Sequence, residues 1–177
     1  MQINNLKAVS LFSGCGGTDV GMMGGFNFLG QYYPSNNIDI VFANDIEQSA
    51  IDILKTNFPS TNSLTEDIHN LTAKDLPDHH ILTGGFPCQS FSIVAQNPPR
   101  LGIKDKKGEL FFEMCRILKE KQPNIFIAEN VKGILSANKK EAFPLILEEF
   151  KKSGYNVTWK LMNAADFGVP QRRERVF

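Results

Sequence analysis

Asp39-Ile40-Val41-Phe42-Ala43 is the stretch on which the fold turns. After its first residue it is apolar without interruption, the pattern of a strand covered on both faces. Ile125-Phe126-Ile127-Ala128 reads the same way. With Asn124 it forms an expected strand at 124–128, and further strands are expected at 8–12, 81–84 and 156–162. Helical faces lie between them. Ile51, Leu54 and Phe58 share one, and Phe111, Met114 and Leu118 share a second. Phe143, Ile146, Leu147 and Phe150 recur at i, i+3, i+4 and i+7, with Gly154 placed to stop that helix. Strand–helix alternation at this spacing predicts an α/β fold built on a doubly wound, mostly parallel sheet. Segments 24–37 and 93–108 carry no such pattern. A loop as long as 93–108 inside a domain is usually functional or disordered.

A chain of 177 residues is expected to form one domain, spanning 1–177. Apolar residues make up 42% and charged residues 21%, an ordinary globular balance. The three cysteines, Cys15, Cys88 and Cys115, are too few and too odd in number for a disulfide framework, and they fit a reducing cytosol. No apolar run approaches the roughly 20 residues that span a bilayer. The start Met1-Gln2-Ile3-Asn4-Asn5-Leu6-Lys7 lacks the regions of a signal peptide. A cytoplasmic protein with no membrane partner is expected. The 19 basic and 19 acidic residues cancel, which argues against a general electrostatic grip on nucleic acid. Local clusters remain at Arg100, Lys104, Lys106 and Lys107, and at Arg172, Arg173 and Arg175, and either can be a solvated face.

The chemistry collects at strand ends. Gly84-Gly85-Phe86-Pro87-Cys88-Gln89-Ser90 follows the strand at 81–84 and puts a thiol at its C-terminal edge, where ligands bind in open α/β sheets. A lone Cys is also often a small buried hydrophobe. The first strand runs into Phe12-Ser13-Gly14-Cys15-Gly16-Gly17, a turn that lets backbone approach a cofactor or simply turns tightly. It is not the dinucleotide fingerprint, because Asp19 stands where the third glycine belongs. The next strand unit ends in Asp45, which suits a ribose acceptor or a helix N-cap, and Asp67 closes a third unit. Glu129 follows Ala128 directly, so neighbouring strands offer a thiol and a carboxylate at one sheet edge. That pair suits covalent addition to an electron-poor ring, or Glu129 is a structural acid. Gln171-Arg172-Arg173-Glu174-Arg175 adds guanidinium groups for oxygen ligands. Dithiol and zinc-deaminase chemistry fail on spacing. The histidines His69, His79 and His80 do not read as a metal site.

In this order, the glycine turn, Asp45, Asp67, Pro87-Cys88-Gln89, Glu129-Asn130-Val131 and Gln171–Arg175 resemble the cytosine-C5 DNA methyltransferases over the whole chain. The resemblance implies the class I S-adenosylmethionine-dependent, Rossmann-like fold and duplex DNA as partner. It implies that Cys88 adds to C6 of a flipped-out cytosine and that Glu129 contacts N3 and the exocyclic amine. C5 then takes the methyl group, leaving S-adenosylhomocysteine. Arg175 is implied on the cytosine O2 side, and Arg173 in support of the thiolate. Phe12, Gly14, Gly16, Gly17, Asp45, Ile46, Asp67, Ile68, Pro87 and Leu110 are implied in the cofactor pocket, with no metal. Gln89, Ser92, Arg100, Lys104 and Lys107 are implied on DNA, with 93–108 as a mobile catalytic loop.

Two positions depart from the pattern. Ser10 stands where many members have an acid, and Ile46 where some carry an adenine-stacking aromatic. Family members also continue past Gln171–Arg175 into a target-recognition domain and a closing segment. The expectation is therefore a catalytic portion incomplete at its C-terminus. Its last strand is short and inserts antiparallel between the fifth and sixth. Alone it has little or no activity, with a complementary chain carrying the target-recognition part. The rival expectations are an RNA (tRNA) cytosine methyltransferase of the same family and a catalytically silent cofactor-binding module.

Overall fold

Strand β1, Leu6–Leu11, is buried at all four of its last positions, Ala8 to Leu11, as a central parallel strand must be. The computed structural model describes residues 5–87 and 110–177. The chain divides into two compact units.

The first unit comprises Met1–Gly84 and Pro123–Ile127. Its sheet has the order β5-β4-β1-β6-β7, with β4 at Ile38–Asp45, β5 at Asn62–Thr65, β6 at Ile81–Gly84 and β7 at Ile125–Ala128. The β1–β4, β1–β6 and β4–β5 pairs are parallel. Helices α1, Gly17–Met23, and α2, Gln48–Asn57, follow β1 and β4. Met22 and Met23 of α1 and Leu54 of α2 pack with Ala8, Ile40, Ala43 and Ile81. Burying each of the Leu and Ile side chains stabilises the fold by roughly 1.5–3 kcal/mol.

Segment 24–37, expected to be irregular, holds a hairpin. Strands β2, Phe26–Phe28, and β3, Gln31–Tyr33, pair antiparallel around Leu29-Gly30. β5 was legible only as a strand unit. It is polar because it is the sheet edge, held by β4 and by the Thr61 hydroxyl, which donates to Ile40 O at 2.9 Å.

The second unit comprises Gly85–Gln122 and Ala128–Phe177. Helix α3, Leu110–Lys121, buries Phe111, Met114, Cys115, Ile117 and Leu118. The Phe111 ring lies 5.2 Å from Phe86 and 5.1 Å, edge-on, from Phe150 of α4, Ala142–Lys152. Gly154, at φ 100°, stops α4 where the sequence placed the stop. A three-stranded sheet completes the unit in the order β8-β10-β9, with β8 at Asn130–Val131, β9 at Leu161–Asn163 and β10 at Glu174–Val176. The strand expected over 156–162 is thus confined to 161–163. β10 has three residues and lies antiparallel between β8 and β9, in this separate sheet rather than inserted into the parallel one as expected.

Candidate active site

In the first unit the strand ends are laced together by the polar groups picked out in sequence. Beyond β1 the backbone turns at Phe12, φ 53°, and Gly14, φ 53°. The Ser13 amide donates to Asn44 O at 3.0 Å. The Gly14 amide donates to Asp45 Oδ2 at 2.8 Å, and the Glu47 amide donates to Asp45 Oδ1 at 3.0 Å. Asp45 is not the N-cap of α2, because Glu47 holds that position. It ties the glycine-rich turn to the end of β4 instead. Gly16 adopts φ 88°, and a Cβ there would stand 2.7 Å from the Phe58 ring, so only glycine fits. Gly17 opens α1.

Asn44, buried beside Asp45, donates through Nδ2 to Leu64 O at 3.2 Å and Glu66 O at 2.9 Å. This fastens the β5 end to the β4 end. Asp67 caps the short turn Ile68–Asn70, accepting from the His69 amide at 3.0 Å and lying 2.6 Å from His69 Nδ1. Ile68 is buried beneath it, and Ile46 is exposed.

In the second unit two of the catalytic candidates, Glu129 just after β7 and Arg175 of β10, come together. Glu129 Oε1 meets Arg175 Nε of β10 at 2.8 Å. Both side chains are mostly covered, 27% and 22% exposed. The pair forms because β10 lies against β8 with Arg175 opposite Val131 and Val176 opposite Asn130. Arg175 Nη1 also donates to Glu174 O at 2.8 Å, which fixes the plane of the guanidinium. Glu129 Oε2 lies 3.1 Å from where a Cβ on Gly85 would stand, so Gly85 leaves the carboxylate its room.

Asn130 is a residue whose weight the sequence did not reveal. It is buried, its Nδ2 donates to Phe86 O at 2.9 Å, and its Oδ1 accepts from the Val131 amide at 2.9 Å. It thereby fastens the chain just before Pro87 to the chain just after Glu129. Its position beside Glu129 was the one available signal. Pro87 is exposed, Leu110 opens α3 half-buried, and Arg173 is exposed. Cys88, Gln89, Ser92, Arg100, Lys104, Lys107 and the 93–108 segment lie outside the described residues. Among the described residues no group of three His, Cys, Asp or Glu side chains is placed to hold a metal ion. No helix among them is long and apolar enough to cross a membrane.

A parallel sheet with a glycine-rich turn after β1 and acids at the next strand ends is the frame of a class I S-adenosylmethionine-dependent methyltransferase. Residues 6–177 match the C-5 cytosine-specific DNA methylase family, and the chain belongs to it. It is 40% identical over 171 residues to the type II methyltransferase M1.ScrFI of Lactococcus lactis subsp. cremoris, covering 97% of this chain and 40% of that protein. It is 39% identical over 171 residues to the type II methyltransferase M.NgoBI of Neisseria gonorrhoeae, covering 97% of this chain and 49% of that protein. The chain thus spans less than half the length of these relatives.

Solved structures agree. A protein encoded within an E. coli prophage and described as a DNA modification methyltransferase superposes with a TM-score of 0.75 at 27% identity, over 97% of this chain and 45% of that one. The Dnmt2 methyltransferase of S. pombe superposes at 0.70 and 26% identity, over 97% of this chain and 49% of that one.

Proposed function

We propose that this chain carries the catalytic residues of a DNA (cytosine-5-)-methyltransferase, acting on duplex DNA in the cytosol. The observation that carries the reading is the Glu129–Arg175 pair at 2.8 Å, formed between the residue that follows β7 and strand β10.

The Cys88 thiolate attacks C6 of a cytosine turned out of the duplex, forming a C–S bond and shifting ring electrons to C5. A free thiol of pKa ~8.5 is mostly protonated at neutral pH, so positive charge from Arg173 and Arg175 favours the thiolate. Glu129 receives the polar edge of the ring, N3 and the exocyclic amine, and favours the electron shift. Arg175 orients Glu129 and offers its guanidinium to the O2 side. After C5 is alkylated, a base removes its proton and the C–S bond breaks, returning Cys88. Turning the base out of the stack costs roughly a few kcal/mol, which contacts with DNA must offset. We assign part of that role to Gln89, Ser92, Arg100, Lys104 and Lys107.

The residues of the first unit fit S-adenosylmethionine. Gly14 has no atom within 4 Å of the point where a Cβ would stand, and Asp45 and Asp67 stand at consecutive strand ends. Phe12, Gly14, Gly16, Gly17, Asp45, Ile46, Asp67 and Ile68, with Pro87 and Leu110, are the residues we assign to it. When bound, it supplies the methyl group. We assign target-sequence choice to protein beyond these 177 residues, in the same or a second chain.

Duplex DNA containing 5-fluorocytosine tests the proposal, because fluorine at C5 blocks proton loss and leaves the adduct in place. With S-adenosylmethionine, and with the target-recognition part supplied in the same or a second chain, the protein is expected to form a denaturation-resistant adduct that Cys88→Ser abolishes. An adduct that persists in Cys88→Ser sinks the nucleophile assignment. Trapping on RNA alone moves the substrate to RNA.

A further inference from the structure

Helix α1 carries an acid that the mechanism above leaves unused. Asp19, in its first turn, is 1% exposed, and both its carboxyl oxygens are shielded from solvent. Its Oδ2 lies 3.7 Å from where a Cβ on Gly16 would stand, so the carboxyl sits against the glycine-rich turn. Ser10 of β1, 2% exposed, reaches it from the strand as a hydrogen-bonding neighbour. Ser10 is also the position where many family members have an acid.

A buried carboxylate with no charged partner costs several kcal/mol. Such groups persist where function, not stability, retains them. We propose that Ser10 and Asp19 are an exchanged pair: Asp19 supplies from α1 the acid that β1 lacks, and positions the glycine-rich turn for the cationic amino-acid end of the cofactor. This rests on the cofactor reading above. Because its oxygens are shielded from solvent, Asp19 acts through the turn and is a positioning residue. The cofactor's ammonium group favours an ionised Asp19 across a low-dielectric gap. S-adenosylmethionine and S-adenosylhomocysteine share that group, so both feel the acid.

The unliganded protein bears the cost. Burial pushes the Asp19 pKa up, and Ser10 only partly opposes it. Among the described residues no charged side chain figures in the influences on it. The acids of β4, against which α1 packs, are engaged elsewhere, Asp39 with Asn5 and Asp45 with Gly14. The folded state therefore holds this proton more tightly than the unfolded state. Stability is full below the ordinary carboxylate pKa and declines as pH rises through the raised one.

Calorimetry with both nucleosides, alongside thermal unfolding of the ligand-free chain, tests this. Asp19→Asn is expected to weaken both nucleosides about tenfold or more while raising the ligand-free Tm by about 3 °C at neutral pH. The double exchange Ser10→Asp/Asp19→Ser is expected to recover affinity that Asp19→Ser loses. Unchanged affinity in Asp19→Asn, a fall in its Tm, or a double exchange that recovers nothing overturns the inference and leaves the cofactor reading standing. Loss confined to S-adenosylmethionine overturns the assignment to the amino-acid end. A wild-type chain that binds neither nucleoside sinks both readings. If Asp19→Asn does not fold, the double exchange decides alone.

Discussion

Glu129 and Arg175 are far apart in sequence, and their pairing rests on a two-residue strand, β8, meeting a three-residue one. The consequences of disturbing them differ. Glu129→Gln keeps the shape and removes the charge. It is expected to cost about 1 kcal/mol or less in stability and to lower the rate of covalent trapping on 5-fluorocytosine DNA by about 100-fold or more. Gly85→Ala leaves all charges in place but brings a methyl group within 3.1 Å of Glu129 Oε2. The carboxylate must shift, so trapping is expected to slow by about 10-fold to 100-fold, while calorimetry shows nucleoside affinity unchanged. Equal loss of trapping and nucleoside affinity would contradict the separation of roles. Asn130→Ala removes two hydrogen bonds from a buried site. Chemical denaturation is expected to show a loss of about 2 kcal/mol.

Among the elements, the legible ones were those with a long apolar signal. Strands β1, β4, β6 and β7 and helices α2, α3 and α4 all appear where periodicity placed them, within a few residues at their ends. Those missed depend on pairing. The β2–β3 hairpin turns at Leu29 and Gly30, with φ 49° and 77°, a type I′ geometry that usually announces itself as Asn-Gly. Leucine hides the signal and is strained there, and at 74% exposed it gains little from burial. Leu29→Asn should stabilise the protein by about 1 kcal/mol, read as a higher Tm. An unchanged or lower Tm would show that Leu29 makes an apolar contribution that outweighs the strain. α3 ends in a similar disguise. Gln122 takes φ 46°, a position glycine usually fills, while its side chain donates to Leu118 O and Ser153 O at 2.9 and 3.1 Å.

For the whole molecule, the thiols report how each unit closes. Cys15 is exposed on the glycine-rich turn, whereas Cys115 lies in the core of the second unit, 2% exposed, its thiol pushed up to about 12 by burial. In a Cys88→Ser background, Ellman's reagent should label Cys15 in the native protein and reach Cys115 only as denaturant opens the second unit. Early labelling of Cys115 would mean that this core breathes. The sequence by itself determined the sheet, the family and the order of the motifs, because apolar periodicity and strand-end punctuation are local properties of the chain. It also named Glu129, Arg175, Asp45 and Asp67 as residues to watch. Only the tertiary structure decided that Glu129 pairs with Arg175, that Asp45 grips the glycine-rich turn rather than capping α2, and that Asp19 is buried beside Ser10. Those outcomes depend on hydrogen-bond register between short strands and on what covers a side chain. Both are set by segments distant in sequence, which no local pattern encodes.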